Sequence, residues 1–197
     1  MSIQVLENPI ELFGKWFEEG KASGLREPTA VCLATATAAG EPSARMVLLK
    51  AFDERGFVFY TNLGSQKGRE LAENPQAALC FYWTPIGKQI RVSGRVEPVT
   101  PEEADAYFAS RDRQSRIGAY ASKQSQPLTG YFELERRAAE YAIKFGFGTV
   151  PRPEFWSGYR VIPHEIEFWL EMPFRLHQRL VYRREDASTW STHWLYP

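Results

Sequence analysis

The alternation of hydrophobic and polar positions along the chain predicts many short strands and a few helices. Apolar residues recur at helical spacing after the cap-like pair Asn8-Pro9, which predicts an amphipathic helix that ends near Gly20. A second helix is expected over residues 67–73. Five strand-like segments at hairpin spacing cover residues 30–37, 42–52, 57–61, 76–83 and 88–98. The first half of the chain therefore predicts a five-stranded antiparallel sheet.

The second half predicts further helices and then more strands. Thr100 opens a capped helical stretch that reaches about Tyr120, with room for a break, and a charged helix follows over residues 131–145. The strands are expected at residues 159–162, 166–170, 179–184 and 190–196. Short strands with turns and a few helices are typical of an antiparallel β-barrel with peripheral helices, a mainly β fold with α (α+β). We expect a single domain over residues 1–197.

The charge balance restricts the partners. Lys and Arg number 24, as do Asp and Glu, so the formal net charge is zero. A neutral chain is a poor general binder of nucleic acid or of anionic membranes, because both need a positive field. Any recognition of anions must come from local clusters.

Apolar segments and cysteines indicate the compartment. The longest apolar run falls well short of the roughly 18 residues of a membrane helix, and the first residues do not have the pattern of a signal peptide. Cys32 and Cys80 each lie in an apolar run, as inert buried thiols do, and their surroundings offer no metal site. The expected location is the cytoplasm, with no membrane partner.

An apolar strand with a cation at each end is the first candidate for chemistry. Residues 46–49 are apolar at every position, so we expect a strand buried on both faces, with Arg45 and Lys50 on opposite faces. Cations at the ends of a buried strand need anionic partners, which raises the hypothesis of two anionic ligands. The alternative is that both reach water or pair with nearby carboxylates.

A strand–helix junction is a second candidate, because it resembles an anion site. The junction after Tyr60, with Gly64, Ser65 and Lys67, joins a strand end to a helix start, where backbone N–H groups and the helix dipole favour an anion. Ser65 as a simple N-cap and Lys67 as a surface residue remain the alternatives.

Tyr107, Arg111 and Ser115 are spaced four apart, which on one helix would place a phenol, a guanidinium and a hydroxyl on one face. Such a set could bind a phosphate, with Lys50 as a fourth member, or could be a solvated helix face.

In an extended segment, Arg175, His177 and Arg179 would point the same way. Two cations beside an imidazole suggest a ligand between them.

Five motifs, taken together, resemble the pyridoxine/pyridoxamine 5′-phosphate oxidase family. They are RMVLLK at 45–50, FYTNLGS at 59–65, YFASRDRQSRIGAYASKQS at 107–125, EFW at 167–169 and RLH at 175–177. The resemblance runs from about residue 28 to residue 197. It implies a split β-barrel of the FMN-binding type, a homodimer with FMN at the interface, an N-terminal helical segment (1–27) and C-terminal strands (154–197) that complete the site.

The family's activity and site residues are implied in the same way. The enzyme would oxidise pyridoxine 5′-phosphate or pyridoxamine 5′-phosphate to pyridoxal 5′-phosphate by hydride transfer to FMN, with O2 as acceptor and H2O2 as product. The implied substrate residues are Lys50, Tyr107, Arg111, Ser115, Arg175 and His177, the last two being the catalytic candidates. The implied FMN residues are Arg45, Met46, Val47, Leu48, Lys50, Tyr60, Thr61, Gln66, Lys67, Gln89, Gln124, Ser125, Trp169 and Arg179.

Three features depart from the family pattern or extend it. Gln66 stands where family members often carry a basic residue, and residues 1–7 do not match the family's N-terminal lid. Residues 64–71 also resemble the flavin oxidases of phenazine biosynthesis. Two alternatives therefore stay open: a phenazine-type FMN oxidase, and a non-catalytic flavin- or pyridoxal-phosphate-binding protein of the same fold.

Overall fold

The computed structural model describes residues 2–186 and 189–197, and over these residues nine strands form one antiparallel sheet. The strands are β1 (Ala30–Ala36), β2 (Pro42–Leu48), β3 (Ala51–Asp53), β4 (Gly56–Asn62), β5 (Gln76–Trp83), β6 (Lys88–Pro98), β7 (Trp156–Leu170), β8 (Gln178–Arg184) and β9 (Trp190–Leu195). The helices are α1 (Pro9–Ala22), α2 (Gln66–Glu73), α3 (Pro101–Ser110), α4 (Arg113–Ala121) and α5 (Glu133–Phe145), with 3₁₀ turns at Thr84–Ile86 and Pro173–Arg175. The predicted antiparallel barrel with peripheral helices is confirmed.

The sheet curls because β7 has different neighbours along its length. The strand order is β2-β1-β5-β6-β7-β4-β3, and β8 pairs with β7 while β9 pairs with β8. Residues 156–161 of β7 pair with β4, and residues 165–170 pair with β8. Where the partner changes, the register against β6 shifts after Ser93, and Pro163 faces Gly94. A bulge of this kind bends a strand and increases its twist.

Helix α1 packs against the concave side of the sheet and fills the core. Its N-cap Asn8 accepts a hydrogen bond from the Ile10 amide at 2.8 Å, as the sequence predicted. Phe13 is fully buried, with its ring centroid 4.8 Å from that of Phe57 and 5.2 Å from that of Phe81. These edge-on aromatic contacts fix the helix on the sheet.

Three local predictions were wrong. Residues 159–162 and 166–170 belong to the single strand β7, because the bulge lets the strand continue past Pro163. The single strand predicted over residues 42–52 is two strands, β2 and β3. The helical stretch after Thr100 does have the break that the sequence allowed, at a corner where Arg111 is extended. Strand β2 is not buried on both faces: Met46 is 62% exposed and Leu48 37% exposed, since β2 lies at the end of the sheet.

No helix in the described part of the chain is long and apolar enough to cross a membrane.

Candidate active site

A cavity of about 710 Å³ opens where the ends of β2, β4 and β7 meet the start of α2 and the α3–α4 corner. Its size lies in the range of about 300–1,000 Å³ that small-molecule sites occupy. Eleven of the residues implied by the family resemblance line it: Met46, Val47, Leu48, Lys50, Tyr60, Thr61, Lys67, Tyr107, Arg111, Ser115 and Gln124. Sequence reasoning did not assign six others: Asn62, Asp112, Gly118, Ala119, Ser122 and Trp156.

The start of α2 places a buried cation in the cavity wall. The Lys67 Nζ atom lies 2.9 Å from Gln124 Oε1 and 3.4 Å from both Thr61 Oγ1 and Ser65 Oγ. Lys67 is only 9% exposed, so its alternative interpretation as a surface residue is wrong. Gly68 lets the helix approach this closely, because a Cβ atom there would lie 2.2 Å from the Leu63 carbonyl oxygen.

The charge of Lys67 is not matched by a carboxylate. Among the described residues Lys67 forms no ion pair, and its hydrogen bonds go to neutral oxygens. Burial lowers the pKa of Lys67, nearby Arg45 lowers it further, and Glu70 raises it. A buried ammonium group beside a helix N-terminus is a fitting partner for a phosphate.

Arg45 and Gln66 lie outside the cavity wall, against Glu70. Arg45 Nη2 is 3.2 Å from Glu70 Oε2, and Gln66 Nε2 is 2.9 Å from Glu70 Oε1. The same carboxylate accepts hydrogen bonds from Thr35 and Ser43. Arg45 therefore pairs with a nearby carboxylate, which was the alternative interpretation of this cation. Lys50, in contrast, faces the cavity.

The α3–α4 corner brings the expected phosphate-binding residues together, but they do not share one helix face. Tyr107 lies on α3, Arg111 at the corner and Ser115 in the first turn of α4, whose N-cap Asp112 accepts from the Ser115 amide at 2.8 Å. All three line the cavity with Lys50. Arg111 Nη1 is buried and has no hydrogen-bond partner among the described residues. Burial lowers the pKa of Arg111, and Tyr107 and Asp112 partly offset this. An anion would satisfy both the free N–H group and the buried charge.

Three nearly parallel aromatic rings line the same wall. The Tyr60 ring centroid is 4.0 Å from that of Tyr107 and 5.3 Å from that of Trp156. Burial raises the pKa of Tyr60, and neighbouring Glu103 adds to this, so its hydroxyl stays protonated. The wall therefore offers flat apolar faces and a phenol donor.

The remaining predicted residues form a second cluster, which is separate from the cavity. Gln89 pairs with Trp169 across β6 and β7, and Trp169 pairs with Arg179 across β7 and β8. The Trp169 ring lies 4.6 Å from the His177 ring. Arg175 precedes them in an exposed turn. Ser125 belongs to neither group; it is exposed, with a φ of 69°.

The expectation that Arg175, His177 and Arg179 share one extended segment was wrong. Only Arg179 lies in a strand, and its guanidinium is held by Glu167 at 2.7 Å. Phe174 and Arg175 both have left-handed backbone conformations, with φ of 59° and 62°. Consecutive non-glycine residues in this region are strained, and such strain concentrates at ligand sites.

His177 has a fixed orientation within this turn. Its Nδ1 atom accepts a hydrogen bond from the Met172 amide at 3.1 Å. The acceptor role of Nδ1 requires the neutral ring with its proton on Nε2. His177 can therefore donate to a ligand through Nε2.

The two clusters lie at opposite ends of β7. Trp156 begins the strand at the cavity and Trp169 lies near its end, separated by about 43 Å of strand at about 3.3 Å per residue. Across residues 2–186 and 189–197, no hydrogen bond, ion pair or ring contact joins the two clusters. One copy of the chain thus carries two separate parts of the predicted site.

The fold and the cavity define a split-barrel protein with a buried lysine beside a helix N-terminus in its cavity wall. A family model described as "Pyridoxamine 5′-phosphate oxidase" matches residues 17–145, and one described as "Pyridoxine 5′-phosphate oxidase C-terminal dimerisation region" matches residues 156–197. The chain belongs to the pyridoxamine 5′-phosphate oxidase family, which confirms the sequence prediction.

Relatives in the family match nearly the whole chain. The pyridoxine/pyridoxamine 5′-phosphate oxidase of Caulobacter vibrioides is 56% identical over 191 residues, 97% of this chain and 86% of the relative. The protein of the same name from Rhodospirillum rubrum is 56% identical over 195 residues, 96% of each chain.

Solved structures share the fold. PhzG from Burkholderia lata, in complex with tetrahydrophenazine-1-carboxylic acid, superposes with a TM-score of 0.91 at 37% identity over the full length of both chains. An FMN-binding protein from Nostoc punctiforme superposes with a TM-score of 0.79 at 16% identity, over 98% of this chain and 100% of the other, and is similar in fold.

Proposed function

We propose that this chain oxidises pyridoxine 5′-phosphate or pyridoxamine 5′-phosphate to pyridoxal 5′-phosphate, using FMN and O2 and releasing H2O2; with the amine substrate, water is also consumed and ammonia released. The observation that carries the proposal is the convergence of Lys50, Tyr107, Arg111 and Ser115 on one cavity, with a buried Arg111 N–H group that has no partner among the described residues. These donors suit a phosphate dianion. The names of relatives that match over almost the entire chain support the same substrates.

The cavity suits FMN as the cofactor. Lys67, Thr61 and Gln124 form a polar pocket at the start of α2. A phosphate there would give Lys67 the negatively charged partner that no described carboxylate provides. When bound, FMN supplies the ring that takes up a hydride and passes the electrons to O2. We assign Met46, Val47, Leu48, Lys50 and Tyr60 to the same ligand because they line the same cavity.

The second cluster completes the site from the partner subunit of a homodimer. Within one copy, Gln89 on β6 and Arg179 on β8 flank Trp169, at the end of β7 far from the cavity. A second copy can bring its own set of these residues to the cavity. The match to a dimerisation region over residues 156–197 supports this arrangement, in which the strands from residue 154 onward complete one domain and its site.

In this arrangement the chain contributes mainly by positioning. Lys50, Arg111 and Ser115 hold the substrate phosphate, and the strained Arg175 covers the substrate ring. His177 donates from Nε2 to a ring substituent, since Nδ1 already accepts from the Met172 amide. Holding two reactants in a fixed orientation can supply a large share of the rate enhancement. We assign Arg175 and His177 as the catalytic residues on this basis.

A phenazine-type oxidase is the second candidate, favoured by the full-length superposition on PhzG. The proposed reaction is distinguished from it by the phosphate-binding donors, because a phosphate-free tricyclic substrate does not need them.

A cytoplasmic location belongs to the same proposal. Cys32 and Cys80 are direct partners across β1 and β5, yet both thiols are free. Thiols this close stay reduced most readily in a reducing compartment.

Turnover of each phosphorylated vitamer under air tests the function. The FMN-loaded chain should produce pyridoxal 5′-phosphate, seen as aldehyde absorbance, together with one H2O2 per turnover. A bound-flavin spectrum without H2O2 would instead identify a binding protein, and turnover of a reduced phenazine carboxylate alone would identify the second candidate.

A further inference from the structure

Trp156, which the family resemblance did not assign, packs against Arg111, one of the proposed phosphate-binding residues. It is the first residue of β7 and pairs with Asn62 at the end of β4. The Arg111 guanidinium carbon lies 5.0 Å from the Trp156 ring centroid, a cation–π distance. Phe108 packs edge-on against the same indole at 4.9 Å.

The indole itself is held rigidly. It is 7% exposed and stacks within 6° of parallel on the Tyr60 ring. Its backbone carbonyl accepts from Arg152 Nη1 at 2.9 Å, and Arg152 Nε also binds Asp105 on α3 at 2.6 Å. This bridge joins the start of β7 to α3, the helix that ends beside Arg111.

Arg111 differs from Arg45 and Arg179 in what holds it. Arg45 is paired with Glu70 and Arg179 with Glu167, so their N–H groups are already used by carboxylates. Arg111 forms no ion pair with any described residue, and its side chain rests on aromatic faces. A carboxylate would compete with phosphate for the N–H donors, whereas a ring face holds the cation and leaves those donors free.

We propose that Trp156 is a positioning residue that holds the Arg111 guanidinium ready for the substrate phosphate and thereby sets the preference for phosphorylated over non-phosphorylated substrates. The proposal rests on the function proposed above. It predicts that shortening or removing the ring weakens phosphate recognition without removing the flavin.

The test compares Trp156→Phe and Trp156→Leu in the FMN-loaded full chain. With pyridoxamine 5′-phosphate, KM should rise by about 3- to 30-fold in the Leu variant, the range that a desolvated cation–π contact supports, and less in the Phe variant. The value of kcat should stay within about twofold, and kcat/KM for unphosphorylated pyridoxamine should not change, since that substrate makes no phosphate contact. The Kd of inorganic phosphate, measured by calorimetry, should rise by the same factor as KM.

Trp16→Leu is the matched control. Trp16 also carries a cation, because Lys88 Nζ lies 4.4 Å from its ring, but it packs in the core outside the cavity. This variant should be less stable and should keep the wild-type ratio between the two substrates.

Two results would overturn the proposal: an equal loss of kcat/KM for both substrates, or an unchanged phosphate Kd in the Leu and Phe variants. Failure of the proposed function looks different. In that case the wild type turns over neither phosphorylated vitamer, while the phosphate Kd still separates wild type from variant.

Discussion

At the scale of single residues, the cations near the predicted site differ in whether a carboxylate pairs with them. Lys67 and Arg111 are buried or half-buried against neutral groups, whereas Arg45 and Arg179 are paired with Glu70 and Glu167. A buried cation without a carboxylate is costly in the free protein, and a bound anion removes that cost. We therefore expect the unmatched charges of Lys67 and Arg111 to mark the phosphate contacts in the cavity.

Glu70 belongs to the framework, and its ionisation should contribute to stability. Burial raises the pKa of Glu70, but hydrogen bonds from Thr35, Ser43, Gln66 and Arg45 outweigh it and lower the pKa from 4.5 to about 2. A carboxylate with a lowered pKa in the folded state stabilises the fold fully above its unfolded pKa. That stability is lost as the pH falls from about 4.5 towards 2.

Glu70→Gln should lower the free energy of unfolding at pH 7 by about 2–4 kcal/mol, because it leaves Arg45 without a counter-charge. It should also flatten the loss of stability between pH 4.5 and pH 2, measured by denaturant unfolding at a series of pH values. Glu18→Gln is the control: its ion pair with Lys21 is exposed on α1, so the change should stay within about 0.5 kcal/mol. Parallel pH curves for Glu70→Gln and wild type would contradict the assignment.

The sequence could predict which residues are charged and where strands end, but not which charges pair. Glu70 and Lys67 both lie in a short polar helix, and the local pattern does not distinguish the buried residue from a solvated one. The pairing of Arg45 with Glu70 depends on how α2 packs on β1 and β2. The cation–π contact of Trp156 likewise joins residues 45 positions apart in the chain.

At the scale of elements, most helices and strands follow the sequence pattern, and the exceptions lie at bends. The corner at Arg111 interrupts a helical stretch without a glycine, and at the bulge Pro163 faces Gly94 within otherwise regular strands. Each bend is fixed by its neighbours: the corner by the Asp112 cap, and the bulge by the change of partner from β4 to β8. Local periodicity does not fix the position of either bend.

The bulge depends on one glycine. A Cβ atom at Gly94 would lie 2.1 Å from the Ile162 carbonyl oxygen, so β6 and β7 could not keep their present separation. Gly94→Ala should therefore lower stability by about 2 kcal/mol or more, which corresponds to a fall in Tm of roughly 4–8 °C for a chain of this size.

Gly130→Ala provides the comparison for Gly94→Ala. A Cβ atom at Gly130 meets nothing within 4 Å, and the residue lies in a loop. Thermal unfolding should show a small change or none in this variant. Equal shifts in the two variants would mean that the close approach of β6 and β7 is not what requires glycine.

At the scale of the whole molecule, the described residues leave part of one face of the sheet open. A row across five strands joins Met46, Cys32, Cys80, Arg91 and Glu167 on the side opposite the core. Met46 and Arg91 are exposed at this face. A sheet face with exposed Met46 and Arg91 is available to a second copy, and the same copy would carry the second cluster to the cavity.

A shared site can be tested by mixing two inactive chains. Arg111→Ala damages the cavity, and Arg175→Ala damages the exposed turn at the far end of β7. If each site takes its cavity from one subunit and its turn from the partner, a mixed dimer has one site with both lesions and one site with none. Random assembly of equal amounts then gives about a quarter of wild-type activity, although each variant alone gives almost none.

The opposite geometry makes the opposite prediction. If cavity and turn of one subunit served the same site, every site in the mixture would carry a lesion, and activity would stay at the level of the single variants. The measurement is turnover of pyridoxamine 5′-phosphate after co-expression, with two different tags to isolate the mixed dimer. The isolated mixed dimer should then show about half of wild-type activity, because one of its two sites is intact, whereas a dimer of a doubly mutated chain with wild type should show almost none, because each of its sites carries one lesion. This pair of results would support a site that is completed by the partner subunit, and the reverse pair would support a site built within one chain.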